Sequence, residues 1–301
     1  MTTLLTEHVH KSYGDVHAVD DLNLDIPEGQ VFGLLGPNGA GKTTTIRMIM
    51  DIIKPDQGRI QLFGQDNSSQ VRDGVGYLPE ERGLYKKMPV KEVLFFFAEI
   101  KGVSKKEASD RATDWLKKLE LDEWAEKKVE ELSRGMQQKL QFITTVLHQP
   151  KLLILDEPFT GLDPVNTNML KDVILDLKKQ GTTIIFSTHL MDQVEKLCEA
   201  ICLINKGASV LQGSLSGIKS QFGKNRVKLR FQGNADFVND PALVSSKDQY
   251  GNYVELALAE NVKPQDLLAR AINKVSVEHF EVAEPSLNEI FIQTVKKGGD
   301  A

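Results

Sequence analysis

Apolar positions near the start of the chain come in short alternating groups, at residues 4–9, 16–19 and 22–26, with Lys11-Ser12-Tyr13-Gly14-Asp15 between the first two. The alternation predicts strands of an antiparallel β subdomain and the polar run predicts a turn. Val31-Phe32-Gly33-Leu34-Leu35 is almost continuously apolar, the pattern of a strand covered on both faces. A glycine-rich turn follows it, and then a helix predicted to run to Ile53 and to stop at Pro55 and Gly58. Residues 60–64 read as a strand and turn, and 75–78 as another short strand. From about residue 90 to 147 the period becomes helical with dense charge, in segments 93–100, 105–119 and 136–147. This is too long for one βα crossover, so it reads as a helical subdomain, about 85–150, inserted between strands of a core.

Buried-strand character returns at 151–155, 183–187 and 200–205, with helices predicted at 166–180 and 191–198. Such alternation builds an α/β sheet. Small residues over 214–223 predict a hinge. Beyond it Val227, Leu229 and Phe231 alternate with Lys228 and Arg230, and Val254, Leu256 and Leu258 alternate with Glu255 and Ala257, so both stretches predict half-buried strands. Helices at 264–273 and 286–295 flank a strand at 275–282, and Ser286 with Glu289 forms a helix-start pair. The division expected is a first domain at 1–220 and a small α+β domain, with two or three strands, at 224–301.

Composition narrows the class. With 41% hydrophobic residues and 37 basic against 42 acidic side chains, the chain reads as soluble and globular. Its net charge of -5 argues against coating a nucleic acid. No apolar run is long enough for a membrane helix and no secretory signal is seen at the start, so a cytoplasmic location is expected. Cys198 and Cys202, with no histidine near them in sequence, read as buried thiols.

The densest chemistry lies in Gly36-Pro37-Asn38-Gly39-Ala40-Gly41-Lys42-Thr43-Thr44. It matches G-x-x-x-x-G-K-[ST], in which backbone N–H groups wrap a polyphosphate and a helix N-terminus adds its dipole. Lys42 should reach the outer phosphates and the Thr43 hydroxyl should meet Mg²⁺. Asp156 and Glu157 end an apolar strand, where adjacent carboxylates are costly unless used: Asp156 to hold magnesium, Glu157 to direct a water at the γ-phosphate. His189 ends the next strand at the same sheet edge. Ser133 precedes a helix and Gly135 permits close approach, making a second anion-seeking surface. Tyr13 reads either as a base-stacking ring or as an ordinary turn residue. Phe95, Phe96 and Phe97 cannot share one helix face, so at least one belongs in the core while another can face a groove.

Taken together, G-P-N-G-A-G-K-T-T at 36–44, L-S-R-G-M-Q-Q-K at 132–139, L-L-I-L-D-E-P at 152–158, G-L-D at 161–163 and S-T-H at 187–189 resemble the ATPase subunit of an ATP-binding cassette (ABC) transporter. The resemblance spans about residues 2–220. The remainder, with E-P-S-L-N-E-I-F-I at 284–292, resembles the accessory domain of the sodium-extrusion and drug-exporter branch. It implies an α/β P-loop NTPase core with β and helical subdomains and a small α+β domain, binding ATP and Mg²⁺. It further implies a head-to-tail homodimer or pseudo-symmetric heterodimer. Each ATP would lie between residues 36–44 of one subunit and Leu132, Ser133, Arg134, Gly135 and Met136 of the other, with Tyr13 by the adenine and Asp163 communicating across the interface.

Catalysis would fall to Glu157, His189, Lys42 and Glu80, and the metal to Thr43, Asp156 and Glu80. Two positions depart from the family: Glu80 stands where a glutamine is usual, and Arg134 and Met136 replace a glycine and a glutamine of the signature loop. The partner implied is a separate integral membrane permease, with the subunit peripheral on the inner face of the cell membrane and no nucleic acid involved. A soluble cassette ATPase acting on nucleic acid or ribosomes is the alternative, and a P-loop kinase a third reading. The transported solute is not written in the chain.

Overall fold

The computed structural model describes residues 1–298 other than 82, 223–225 and 252, with side chains described through 294. Two compact units divide at Ser214 and Leu215. In the first, β1 (Thr2–Tyr13) and β2 (Val16–Pro27) form a long antiparallel hairpin, followed by β3 (Val31–Leu35), α1 (Lys42–Ile49), β4 (Gln57–Leu62), β5 (Gln65–Asp66), α2 (Ser69–Arg72) and β6 (Val75–Leu78). The helical region holds α3 (Val90–Ile100), α4 (Lys105–Lys118) and α5 (Arg134–Val146). The core resumes with β7 (Leu152–Asp156), α6 (Pro164–Lys179), β8 (Thr183–Thr188), α7 (Met191–Leu197), β9 (Ala200–Asn205) and β10 (Ala208–Ser214).

Among the described residues two sheets form in this unit, ordered β2-β1-β4-β5 and β10-β9-β3-β8-β7-β6. In the second, β3 runs parallel to both β8 and β9, and β7 parallel to β6 and β8. Every residue of β3, β7 and β8 is buried, which is why their sequences are near-continuous apolar runs. Leu4, Leu24 and Leu62 of the antiparallel sheet share one core with Ile46 and Ile49 of α1 and Ile154 of β7. The expected α/β core with β and helical subdomains is therefore present. Its consequence is that the C-terminal ends of β3, β7 and β8 emerge together along one edge.

Four local expectations are corrected. The polar run at 11–15 is mostly strand: β1 continues through Tyr13, held by Ser12 N–H donating to Asp56 at 2.7 Å, and only Gly14 and Asp15 turn. α1 stops at Ile49, with Met50 as its cap and Asp51 at φ 56°, a left-handed residue that ends the helical path ahead of Pro55. No phenylalanine of the triplet is fully buried. Phe95 is exposed while Phe96 and Phe97 are half-buried against Tyr85, at 5.2 and 6.4 Å between ring centres, because Val93, Leu94 and Ala98 supply the buried face of α3. The fourth concerns the predicted hinge: Leu215–Gln221 is a helix, α8, with Ile218 buried. Its last position, Gly223, and the predicted domain limits at 224 and 301 lie outside the described residues.

The second unit continues with β11 (Arg226–Gln232), β12 (Val244–Tyr250), β13 (Tyr253–Leu258), α9 (Pro264–Lys274), β14 (Ser276–Ala283) and α10 (Leu287–Gly298). Among the described residues its strands form one antiparallel sheet ordered β12-β13-β11-β14. Val227, Leu229, Leu256 and Leu258 join Leu267 and Ala271 of α9 in its core. β12, which the pattern did not predict, is an edge strand exposed at every residue after Val244, so it has no buried face to print on the sequence. Ser286 Oγ accepts from Glu289 N–H at 3.3 Å and the Glu289 carboxylate accepts from Ser286 N–H at 2.9 Å, the reciprocal pair expected at that helix start.

Candidate nucleotide site

The loop between β3 and α1 owes its shape to two crowded glycines. A Cβ on Gly36 would lie 2.2 Å from the Ile204 carbonyl oxygen, and one on Gly41, at φ 112°, 2.3 Å from that of Ala18. No side chain fits there, so the loop can close over the ends of β2 and β9 only with glycine. Lys42 then opens α1 with a buried side chain, its ammonium donating to the carbonyls of Gly36 at 2.8 Å and Pro37 at 3.1 Å. Burial lowers its pKa, an effect opposed by the negative charges of Glu157, Asp156 and Glu80.

Opposite it, β7 delivers Asp156, which is 1% exposed and accepts a hydrogen bond from the Thr43 hydroxyl at 3.3 Å. Burial raises its pKa, and the nearby Glu80 and Glu157 carboxylates push in the same direction. Glu157 follows at φ 50°, a left-handed conformation that a non-glycine residue adopts only when its surroundings enforce it. Its N–H donates to the Ser187 carbonyl at 2.9 Å. One carboxylate oxygen accepts from the Thr188 hydroxyl at 2.9 Å, and the other from His189 N–H at 3.0 Å and lies 2.6 Å from His189 Nδ1. Both oxygens are thereby fixed in direction.

Asn38 to Thr44, Glu80, Asp156, Glu157 and His189 line one cavity of about 610 Å³, a volume suited to a small-molecule ligand. Glu80 reaches it from the loop after β6. Gly36 and Pro37 do not line it; their carbonyls accept from Lys42. The cavity also takes in Val16, His17, Ala18, Thr160 and Lys206, which the motifs did not flag. They arrive from the β1–β2 hairpin, the loop after Glu157 and the β9–β10 turn, and nothing in the sequence marks them except their place next to turns. Tyr13 lies at the tip of the β1–β2 hairpin, half-exposed with Lys11 over its ring at 5.7 Å, and does not line the cavity.

The signature residues stand apart from it. Ser133 caps α5, its oxygen accepting from Met136 N–H at 3.3 Å. Ser133 and Arg134 are exposed, Gly135 and Met136 half-buried, and Leu132 is buried beneath them. Asp163 caps α6, accepting from the N–H groups of Val165 and Asn166 at 2.9 Å each, and the Asn166 bond leads the interactions that lower its pKa. Cys198 and Cys202 are buried free thiols, and burial raises the pKa of both.

Comparison with known proteins decides the family. Residues 19–160 match the ABC transporter family, and residues 213–295 match the C-terminal domain of DrrA1-3-like ATP-binding proteins. The uncharacterized ABC transporter ATP-binding protein YhaQ of Bacillus subtilis strain 168 is 46% identical over 292 residues, which is 97% of this chain and 98% of the relative. The chain belongs to the ATP-binding subunits of ABC transporters.

This ABC subunit is an ATP-hydrolysing P-loop enzyme with a DrrA-like C-terminal domain. It is also 30% identical to the daunorubicin/doxorubicin resistance ATP-binding protein DrrA of Streptomyces peucetius, over 95% of this chain and 90% of that one. A solved structure described as the ATP binding subunit of an ABC transporter superposes with a TM-score of 0.69 at 30% identity, covering 73% of this chain and 93% of the other. Among the described residues no helix of this subunit is long and apolar enough to cross a membrane.

Proposed function

We propose that this subunit drives export through a separate membrane permease by closing on ATP as a pair and opening after hydrolysis. The observation that carries the reading is the fixed Glu157 carboxylate facing the same cavity as Lys42 and Asp156. Thr43 and Asp156 would hold a magnesium ion. A hydroxyl and a carboxylate already within 3.3 Å of each other, next to a phosphate-shaped loop, form the oxygen donor set this hard cation takes when phosphates and water complete its shell. Bound there, the ion would neutralise charge on the phosphates.

Lys42 is placed to transfer its donors from the Gly36 and Pro37 carbonyls to phosphate oxygens. Glu157 accepts a proton from, or orients, the attacking water, with Thr188 and His189 holding its oxygens in direction. Glu80, which lines the same cavity, would meet the water and the metal as an acceptor only, lacking the donor of an amide. Since Ser133 to Met136 lie outside the cavity of their own chain, their N-capped helix tip suits a γ-phosphate bound by a second copy. Asp163 would relay contact across that interface, and Tyr13 reaches adenine only if the hairpin tip moves.

The permease would dock against the surface made by Tyr85, Phe96 and Phe97, beside a cavity lined by Lys86, Met88 and Glu92. So docked, the subunit would sit on the cytoplasmic side of the membrane. The DrrA-like domain, shared with a relative named for drug resistance, favours an organic solute over an ion. Replacing Glu157 with Gln tests the core of this reading. The variant should bind ATP as the parent does, lose hydrolysis by roughly 10²–10⁴-fold, and elute as an ATP-dependent dimer. Hydrolysis at the parent rate would remove Glu157 from its role. Copurification with a multispanning protein from detergent-solubilised membranes tests the partner, whereas recovery with ribosomes would favour the soluble alternative.

A further inference from the structure

The buried face of α5 is loaded with amides. Gln138 and Gln141 lie three residues apart, 2% and 3% exposed. Gln138 Nε2 donates to the Pro158 carbonyl at 3.0 Å. Gln141 Nε2 donates to the carbonyls of Glu81 at 3.1 Å and Pro79 at 3.4 Å. Pro158 follows Glu157, and Pro79 and Glu81 bracket Glu80. One helix therefore grips both loops that bring acids to the cavity, and the same helix begins at Ser133.

Stability does not account for the amide at position 141. Its Oε1 is buried with no hydrogen-bond partner among the described residues, a cost that leucine or methionine of similar size would not carry. What neither could supply is the N–H donors. Pro79 and Glu81 lie past the end of β6 at Leu78, beyond its register with β7, so the strand ladder does not fix the loop there.

We propose that Gln141 is the positioning residue for Glu80: by holding the carbonyl on either side of it, the amide sets where the Glu80 carboxylate meets the cavity and ties that carboxylate to the helix tipped by Ser133. This rests on the reading of Glu80 as a group that faces the metal and the water. A misplacement of about an ångström at a reacting centre costs roughly tenfold to a hundredfold in rate. Stacked on the helix as they are, Gln138 and Gln141 also make any displacement of the Ser133 tip felt in both loops.

The test is a mutant cycle in the full chain with Gln141→Leu, Glu80→Ala and the double variant, read by steady-state phosphate release and by ATP affinity. Gln141→Leu should bind ATP normally and lose kcat by roughly ten- to a hundredfold, and it should cost nothing further once Glu80 is gone. Losses that multiply in the double variant would overturn the proposal, because Gln141 would then act independently of Glu80. If Glu80→Ala hydrolyses at the parent rate, the role of Glu80 falls and the tether is judged by amide exchange. Faster exchange over residues 76–81 in Gln141→Leu, with 156–160 unchanged, supports it, and unchanged exchange over 76–81 refutes it.

Gln141→Glu supplies a readout that packing alone would not move. A buried, protonated carboxyl keeps one O–H donor for these carbonyls and an ionised one repels them, so hydrolysis by the variant should fall relative to the parent as pH rises. A profile parallel to the parent's would count against the donor role.

Discussion

Two glycine-bearing loops in this subunit face the chemistry, and they differ in what they owe to their own chain. At residues 36–44 the surrounding fold accounts for the glycines: carbonyl oxygens of Ile204 and Ala18 stand where side chains on Gly36 and Gly41 would begin. At Gly135 a Cβ would meet only ordinary contacts, 3.6 Å from the Gly161 carbonyl oxygen and from Leu162 Cδ2. Nothing in the chain's own packing requires glycine there; in the proposed pair the bare backbone would serve the second copy. The same division runs through the polar groups. Lys42, Asp156 and Glu157 are buried and hydrogen-bonded within one chain, while Ser133 is exposed and its hydroxyl accepts the capping bond from Met136 N–H. One loop is half a site already assembled. The other, in the proposed pair, would be the surface that completes it.

Substitutions at these glycines should separate the two most sharply. Gly36→Ala is expected to cost roughly 2–4 kcal/mol of folding stability and to abolish nucleotide binding, measured by thermal melting and nucleotide titration. Gly135→Ala should leave the monomer's stability unchanged or raise it by up to ~1 kcal/mol, since alanine is the better helix former. Its effect should appear in ATP-driven association, weakened roughly ten- to a hundredfold by an added methyl at a close contact. A Gly135→Ala protein that dimerises as the parent does would erase the distinction.

A smaller change probes the assembled half. Thr188→Val removes the hydroxyl that directs one Glu157 oxygen, and kcat should drop roughly tenfold with ATP affinity preserved. An equal loss in affinity would mean that Thr188 serves the pocket as a whole. The smallest effect expected lies away from the cavity. His148 donates Nε2–H to the Val75 carbonyl at 3.2 Å, and burial, aided by the Lys101 charge, pushes its pKa down to about 4. The unfolded chain, with an imidazole near its ordinary value, binds the extra proton first as pH falls, so stability is lost progressively between about pH 6.5 and pH 4. Such a shift corresponds to roughly 3 kcal/mol, and because the ring is only half-buried and screened by solvent, about 1–2 kcal/mol of that should disappear over the window. His148→Gln should flatten this part of the stability profile, and an unchanged slope would assign the acid sensitivity to carboxylates.

The expected β and helical subdomains and parallel core were legible because their patterns are strong: residues buried on both faces print as apolar runs, and a change of period marks the helices. The edge strand β12 and helix α8 were not. β12 has no buried face, and the small residues Ser216, Gly217 and Ser220 disguise the anchor at Ile218. In the site, Lys42, Thr43, Asp156, Glu157 and His189 meet at one cavity because the start of α1 and the ends of β7 and β8 carry them there, whereas Ser133 and Asp163 open α5 and α6 away from it. Val16, Ala18, Thr160 and Lys206 were missed because each is delivered by a turn folded over from elsewhere in the chain.

Sequence alone determined the phosphate loop, the paired acids and the family, because closely spaced residues on a strand–turn–helix can be recognised without knowing what surrounds them. Tertiary structure alone decided that Gln141 grips the carbonyls beside Glu80 and that Thr188 directs Glu157, since those partners are 60 and 31 residues apart at the contacts concerned. A hydrogen bond between distant segments leaves no period or spacing to read. It exists only once the packing of α5 and the parallel order of β7 and β8 have brought its two ends within reach.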